Sequence, residues 1–161
     1  RIMLRITVIS VGQLKESYYR EAICEYEKRM GAFAKITNIN LKEAPFDEKS
    51  GESAVRAALE EEGGRILASL PKNALKIALC IEGKQPSSEE LADILERACA
   101  ERGEVAFVIG SSHGLSDKVK AACDMRLSVS KLTFPHQLMR AILLEAVYRA
   151  FNIIKGTHYH K

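Results

Sequence analysis

Two stretches of this chain carry more reactive side chains than ordinary connectors need. The ending Thr157-His158-Tyr159-His160-Lys161 holds two of the four histidines. An imidazole there can move a proton, a phenol can stack on a flat base, and an ammonium can hold phosphate. The same composition also reads as a frayed terminus. His158 and His160 have no third ligand nearby, so no metal is expected. The second stretch is Ser128-Val-Ser-Lys-Leu-Thr-Phe-Pro-His136, which gathers hydroxyls, a cation, a phenyl ring and an imidazole. As a linker it is odd. As a small-molecule cradle it supplies main-chain groups and apolar atoms for a pocket wall.

A third candidate is the loop Gly110-Ser-Ser-His-Gly114. Glycines let a backbone come close to a ligand and present free N–H groups, although a plain strand-to-helix turn has the same look. No Gly-x-Gly-x-x-Gly occurs, and Gly83-Lys84 is followed by Gln85 rather than Ser or Thr. Kinase, GTPase and ordinary dehydrogenase readings therefore fall away.

Alternating strands and helices must position these segments. Leu4 to Val11 is an apolar, β-branched run ending at Gly12, a strand. Leu14 to Met30 has helical spacing and closes at Gly31. Ile36 to Leu41 is a second strand, and Glu43 to Gly51 a loop. Glu52 to Leu70 reads as a helix with a break at Gly63-Gly64. Its Glu60-Glu61-Glu62 run reads as a solvated face. Leu75 to Ile81 is a buried-type strand leading to the loop Glu82-Gly83-Lys84. Ser87-x-x-Glu90 has the form of a capping box and opens a helix that Gly103 ends. Val105 to Ile109 is a strand, Ser116 to Cys123 a short helix, and Met125 to Val129 a final strand. Pro135 opens a last helix to about Ile154.

This order predicts an α/β fold with a mostly parallel sheet and flanking helices, as one domain over residues 1–161. Ligands in such sheets bind outside the carboxyl ends of the strands. The last helix is apolar over more than half its circumference, from Leu138 to Ile154. One face can cover the sheet, and a partner subunit is the economical cover for the other, with burial wholly within one domain as the alternative. Glu145 and Arg149, four apart, can pair.

The bulk numbers agree with a globular protein of 161 residues, 47% hydrophobic and 28% charged. No apolar run is long enough for a membrane helix, and the start lacks the pattern of a secretory signal. The four scattered cysteines form no Cys-x-x-Cys pair, as expected for reduced thiols in a cytoplasmic protein. A net charge of +3 permits a nucleic-acid partner without requiring one.

Several segments together resemble a known family: Ile9-Ser-Val11-Gly12-Gln-Leu14-Lys15, Tyr26-Glu-Lys-Arg29, Glu82-Gly-Lys84, Phe107-Val-Ile-Gly110, Thr133-Phe-Pro-His136-Gln, Glu145-Ala-Val-Tyr-Arg149-Ala and Tyr159-His-Lys161. The chain looks like the pseudouridine N3-methyltransferases of large-subunit (23S) ribosomal RNA, of the SPOUT class. The resemblance runs from Met3 to Lys161. It implies a C-terminal trefoil knot, which general connection rules would not have suggested. It also implies S-adenosylmethionine held by Leu79, Gly110 and Val129, Ser130, Lys131, Leu132, Thr133 and Phe134. A homodimer through the last helix follows too, with the tail of one subunit helping to complete the other's site. Two departures stand out. Ser111 replaces the second glycine of the family loop, and Cys80 follows Leu79.

On that reading His160 is the first candidate base for the imide proton of the target. Lys161 and Arg149 would hold phosphate or a developing negative charge, Tyr159 would stack, and Glu145 would orient Arg149. His136 is as well read as a structural cap as a catalytic group. The rival readings are the same chemistry on another RNA, such as transfer RNA, and a non-catalytic ribosome-associated factor.

Overall fold

The computed structural model describes residues 3–160, the Glu48 side chain excepted. Its order is β1 (Leu4–Val11), α1 (Ser17–Arg29), β2 (Ala34–Leu41), a short 3-10 turn (Glu48–Ser50), α2 (Glu52–Ser69), β3 (Leu75–Lys84), α3 (Ser88–Glu101), β4 (Glu104–Ile109), α4 (Asp117–Ala122), β5 (Met125–Leu127) and α5 (His136–Lys155). The strands form one all-parallel sheet, in the order β2-β1-β4-β3-β5. The predicted α/β class is therefore what the chain adopts.

Strand alternation divides the core into two layers. Leu4, Ile6 and Val8 of β1 and Phe107 of β4 face a layer built from Ile23 of α1, Leu95 of α3 and Leu143, Leu144 and Val147 of α5. Ile9, Val11, Ala78 and Val108 face Ile66 of α2 and Val119 of α4. Both faces are covered, which is why these strands are rich in apolar residues on both sides rather than strictly alternating. The two connections that step toward the β2 edge place α1 and α3 on one face. The two that step toward the β5 edge place α2 and α4 on the other. All four crossovers thus share one hand.

Local chemistry moves several boundaries. The Arg20 guanidinium donates to the Leu14 and Lys15 carbonyls, and the Lys15 amide donates to Gln137 of α5. These bonds hold residues 14–16 out of the helix, so α1 starts later than its apolar spacing suggests. The Ser87–Glu90 capping box forms as expected. The Glu82-Gly83-Lys84 segment is not a loop. It continues β3 past an irregularity and pairs Lys84 with Leu127.

Helix α2 does not break at its glycine pair. Gly63 is where α2 crosses α4: a Cβ there would stand 2.7 Å from Ser116 Oγ and 3.3 Å from Val119 Cγ2. The glutamate run also departs from the solvated reading. Glu60 and Glu61 are exposed, but Glu62 is buried. Helix α5 is more enclosed by its own chain than expected. It touches both α1 and α3, and Val147 and Ala150 are fully buried in the protomer. Ile142 and Ala146 remain half-buried.

The glycine pair gives a sharp contrast. Gly63→Val should cost about 1–3 kcal/mol by overpacking against α4. Gly64 has nothing within 4 Å of its Cβ position, so Gly64→Ala should gain up to about 1 kcal/mol from helix propensity. Denaturant unfolding of both variants checks this, and equal effects would contradict the crossing.

Candidate active site

The ends of β3, β4 and β5 open onto one cavity of about 450 Å³, within the ~300–1,000 Å³ typical of small-molecule sites. Leu79, Gly110, Val129, Ser130, Leu132, Thr133 and Phe134 all line it, with His136 and Met139 of α5. The 110–114 loop and the 128–136 segment picked out in sequence therefore meet in space with the end of β3. Lys131 is exposed and is not part of the wall.

Glycine makes this convergence possible at two points. A Cβ on Gly110 would overlap the carbonyl group of Gly114, because the 110–114 loop folds back on itself through a Ser111–Gly114 bridge. A Cβ on Gly83 would lie 2.6 Å from the Leu127 amide nitrogen. The 128–134 segment is shaped by its own hydroxyls. Ser128 Oγ donates to the Ser130 carbonyl at 2.8 Å, and Ser130 Oγ accepts from the Leu132 amide at 3.0 Å. The Ser128 amide donates to the Lys84 carbonyl at 2.8 Å, anchoring the segment to the end of β3.

The cavity wall is largely apolar, with one ion pair at its edge. Lys120 and Glu82 meet at 2.5 Å, and Lys120 is the main cause holding the Glu82 carboxyl below its usual range. Burial, followed by the charge of Glu82, pushes the Cys80 thiol up. Cys80 is therefore a neutral wall atom rather than a thiolate nucleophile. A close backbone approach, apolar walls and few charges suit a small molecule held mainly by main-chain groups and apolar contact. Among the described residues no cluster of three His, Cys, Asp or Glu side chains could hold a metal, and no helix is long and apolar enough to cross a membrane.

The candidate catalytic residues form a second cluster on α5. Tyr159 donates to Glu145 at 2.9 Å, and Arg149 donates to Glu145 at 3.0 Å while lying 4.8 Å from the centre of the Tyr159 ring. Glu145 thus accepts from both Arg149 and the Tyr159 of the tail. His160 Nδ1 faces Arg149 at 3.3 Å, and Nε2 faces Glu89 at 2.7 Å. A guanidinium can only donate, so Nδ1 accepts and Nε2 carries the proton given to Glu89. His160 is fully engaged in this arrangement. None of Glu145, Arg149, Tyr159 and His160 lines the cavity of its own chain. Lys161 lies outside the described residues.

Sequence reasoning missed Glu62 and Arg140 in this region and singled out His113 only as part of the Gly110–Gly114 loop. Glu62 bonds to the 110–114 loop from behind. His113 lines the cavity and takes the edge of Phe46 at 4.4 Å. Arg140 is buried on α5, and among the described residues its Nε has no partner. Only Ser111, noted as a departure, hinted at the first.

Comparison with known proteins agrees with this geometry. The family model described as "Predicted SPOUT methyltransferase" matches residues 4–160. Proteins named "Ribosomal RNA large subunit methyltransferase H" from Bacillus pumilus (strain SAFR-032), Listeria monocytogenes serotype 4a (strain HCC23) and Bacillus thuringiensis (strain Al Hakam) are 47%, 45% and 48% identical to this chain. Each alignment covers 98% of this chain and 100% of the relative. The crystal structure of a "Probable Methyltransferase" from Bordetella pertussis Tohama I shares the fold at 19% identity, with a TM-score of 0.58 over 91% of this chain and 94% of that one.

The α5 cluster has a measurable signature in alkali. Burial first, then the Glu145 carboxylate, raises the Tyr26 phenol from 10.0 to about 12. The folded chain keeps a proton that the unfolded chain releases, so stability is full below about pH 10 and declines as pH rises toward 12. Tyr26→Phe should flatten part of that decline in urea unfolding at successive pH values. An unchanged slope would exclude Tyr26 as its source.

Proposed function

Because the chain belongs to the SPOUT methyltransferase family, we propose that it moves a methyl group from S-adenosylmethionine to N3 of a pseudouridine in 23S ribosomal RNA of the large subunit. The observation that carries this reading is the meeting of Leu79, Gly110 and the 129–134 segment in one cavity. Near-full-length likeness to proteins named for ribosomal RNA methylation supports the substrate.

Bound there, S-adenosylmethionine supplies an electrophilic methyl group that is already activated. The protein's share is then position and charge. Gly110 and the turn of 128–132 bring main chain against the nucleoside, and Leu79, Val129 and Phe134 exclude water. The target N3 must lose an imide proton. The tail is our candidate for that work: His160 accepts the proton on Nδ1 once the substrate draws Arg149 away from it, Arg149 and Lys161 hold the negative charge, and Tyr159 stacks on the base. Glu145 keeps Arg149 aimed.

The tail of a chain lies along its own α5, away from its own cavity. We therefore read the active enzyme as a cytoplasmic homodimer, joined through the half-buried face of α5 at Ile142 and Ala146, in which each tail serves the partner's cavity. Residues 1–161 act as one methyltransferase domain, with the 128–134 segment as part of the knotted path that the family likeness implies. No metal is needed for this transfer.

Calorimetric titration with S-adenosylmethionine, followed by a methylation assay on ribosomes, tests the core of the proposal. No heat of binding would point to a non-catalytic factor, and methylation of transfer RNA alone would move the target. Deleting residues 159–161 should leave cofactor affinity within a few fold and cut methylation about a hundredfold or more. Normal methylation by the truncated chain would remove the tail from the chemistry. Ile142→Glu should turn a sedimenting dimer into a monomer, since a buried unpaired charge is expensive. A monomeric parent protein would contradict the assembly.

A further inference from the structure

Glu62 is 4% exposed, and among the described residues no cation forms an ion pair with it. A carboxylate taken out of water in this way depends on neutral donors. It has two. Oε1 accepts from Ser111 Oγ at 2.9 Å, and Oε2 accepts from the Ala44 amide at 3.0 Å. Neither donor belongs to the helix that carries Glu62. Ser111 lies just past the end of β4 and lines the cavity, and Ala44 lies just past the end of β2. Serine at 111, where the resembling family has a second glycine, is what supplies the first donor.

The same two segments touch again where Phe46 meets His113 edge-on. Next to Glu62, Gly63 runs so close to Ser116, just beyond the loop, that a Cβ on it would stand 2.7 Å from Ser116 Oγ. One turn of α2 therefore contacts both ends of residues 110–116. It also holds residues 42–47, which sit beside them.

We propose that Glu62 is a positioning residue for the methyl-donor site. Through Ser111 it fixes the Gly110–Gly114 loop, and through Ala44 it ties that loop to residues 42–47. Filling the cavity then tightens both segments, and by reciprocity a firm 42–47 segment favours filling. The inference rests on the cavity being the S-adenosylmethionine site.

The test uses the full chain. Ser111→Ala leaves Oε1 without a donor in a dry place, so calorimetric affinity for S-adenosylmethionine should fall about tenfold. Hydrogen exchange at the Ala44 amide should slow on adding S-adenosylmethionine to the parent protein and stay fast in Ser111→Ala. A purely structural role for Glu62 would lower stability in both states without removing that cofactor-linked protection. Ser111→Thr keeps the hydroxyl and should restore affinity and protection together. Glu62→Gln keeps one acceptor and turns the other into a donor facing a donor. It should weaken binding similarly, and the two Ser111 variants decide the matter if it does not fold. Parent-like affinity and Ala44 protection in Ser111→Ala would overturn the proposal alone. A parent protein that takes up no S-adenosylmethionine would overturn the cavity reading and the proposal with it.

Discussion

All five strands run the same way, so their carboxyl ends lie along one rim, and whatever the chain binds must be built from the segments leaving that rim. The rest of the molecule follows from meeting this constraint in a short chain. Strands covered on both faces have to be buried along nearly their whole length, and β1 past Arg5 and β4 past Glu104 are. Helices must lie on both sides, and the alternation of crossovers provides them. The rim segments must then turn sharply without filling the space they enclose. Gly83 and Gly110 do this at the points where a side chain would strike backbone, and Ser128 and Ser130 hold the last turn with their own hydroxyls.

Electrostatics divide the site into two parts of different character. The cavity is apolar, with its one ion pair, Lys120–Glu82, at the edge and its thiol kept neutral. The charged and proton-carrying groups gather instead on α5, where Glu145 takes bonds from Arg149 and Tyr159 and where Glu89 and Arg149 hold both nitrogens of His160. An apolar pocket suits contact with a small molecule's carbon skeleton, and accessible cations suit a polyanion. Separate placement lets one small domain offer both surroundings.

Most of the architecture was legible in the sequence because strand and helix periods are written in near neighbours. Leu4 to Val11, the Ser87–Glu90 box and the glycine at 110 needed no distant information. The errors share one cause. Residues 14–16 looked helical until Gln137, far along the chain, claimed the Lys15 amide. Glu62 looked solvated because its donors stand 18 and 49 positions away. Gly63-Gly64 looked like a break because α4, which needs the missing side chain, lies on another element. The tail residues were legible as reactive types, but nothing local indicated that they would dock on α5 instead of beside their own cavity.

The sheet order also governs how the chain comes to be folded. Its central strand β4 and the neighbouring β1 pair residues as far apart as Arg5 and Glu104, 99 positions along the chain. During synthesis β1 can meet β2 early, but its other edge stays open until β4 has emerged. Such long-range parallel pairing slows folding and leaves the unpaired edge of an apolar-rich strand exposed meanwhile. The nascent chain is therefore most at risk of sticking to a neighbour in the interval between the completion of β2 and the arrival of β4.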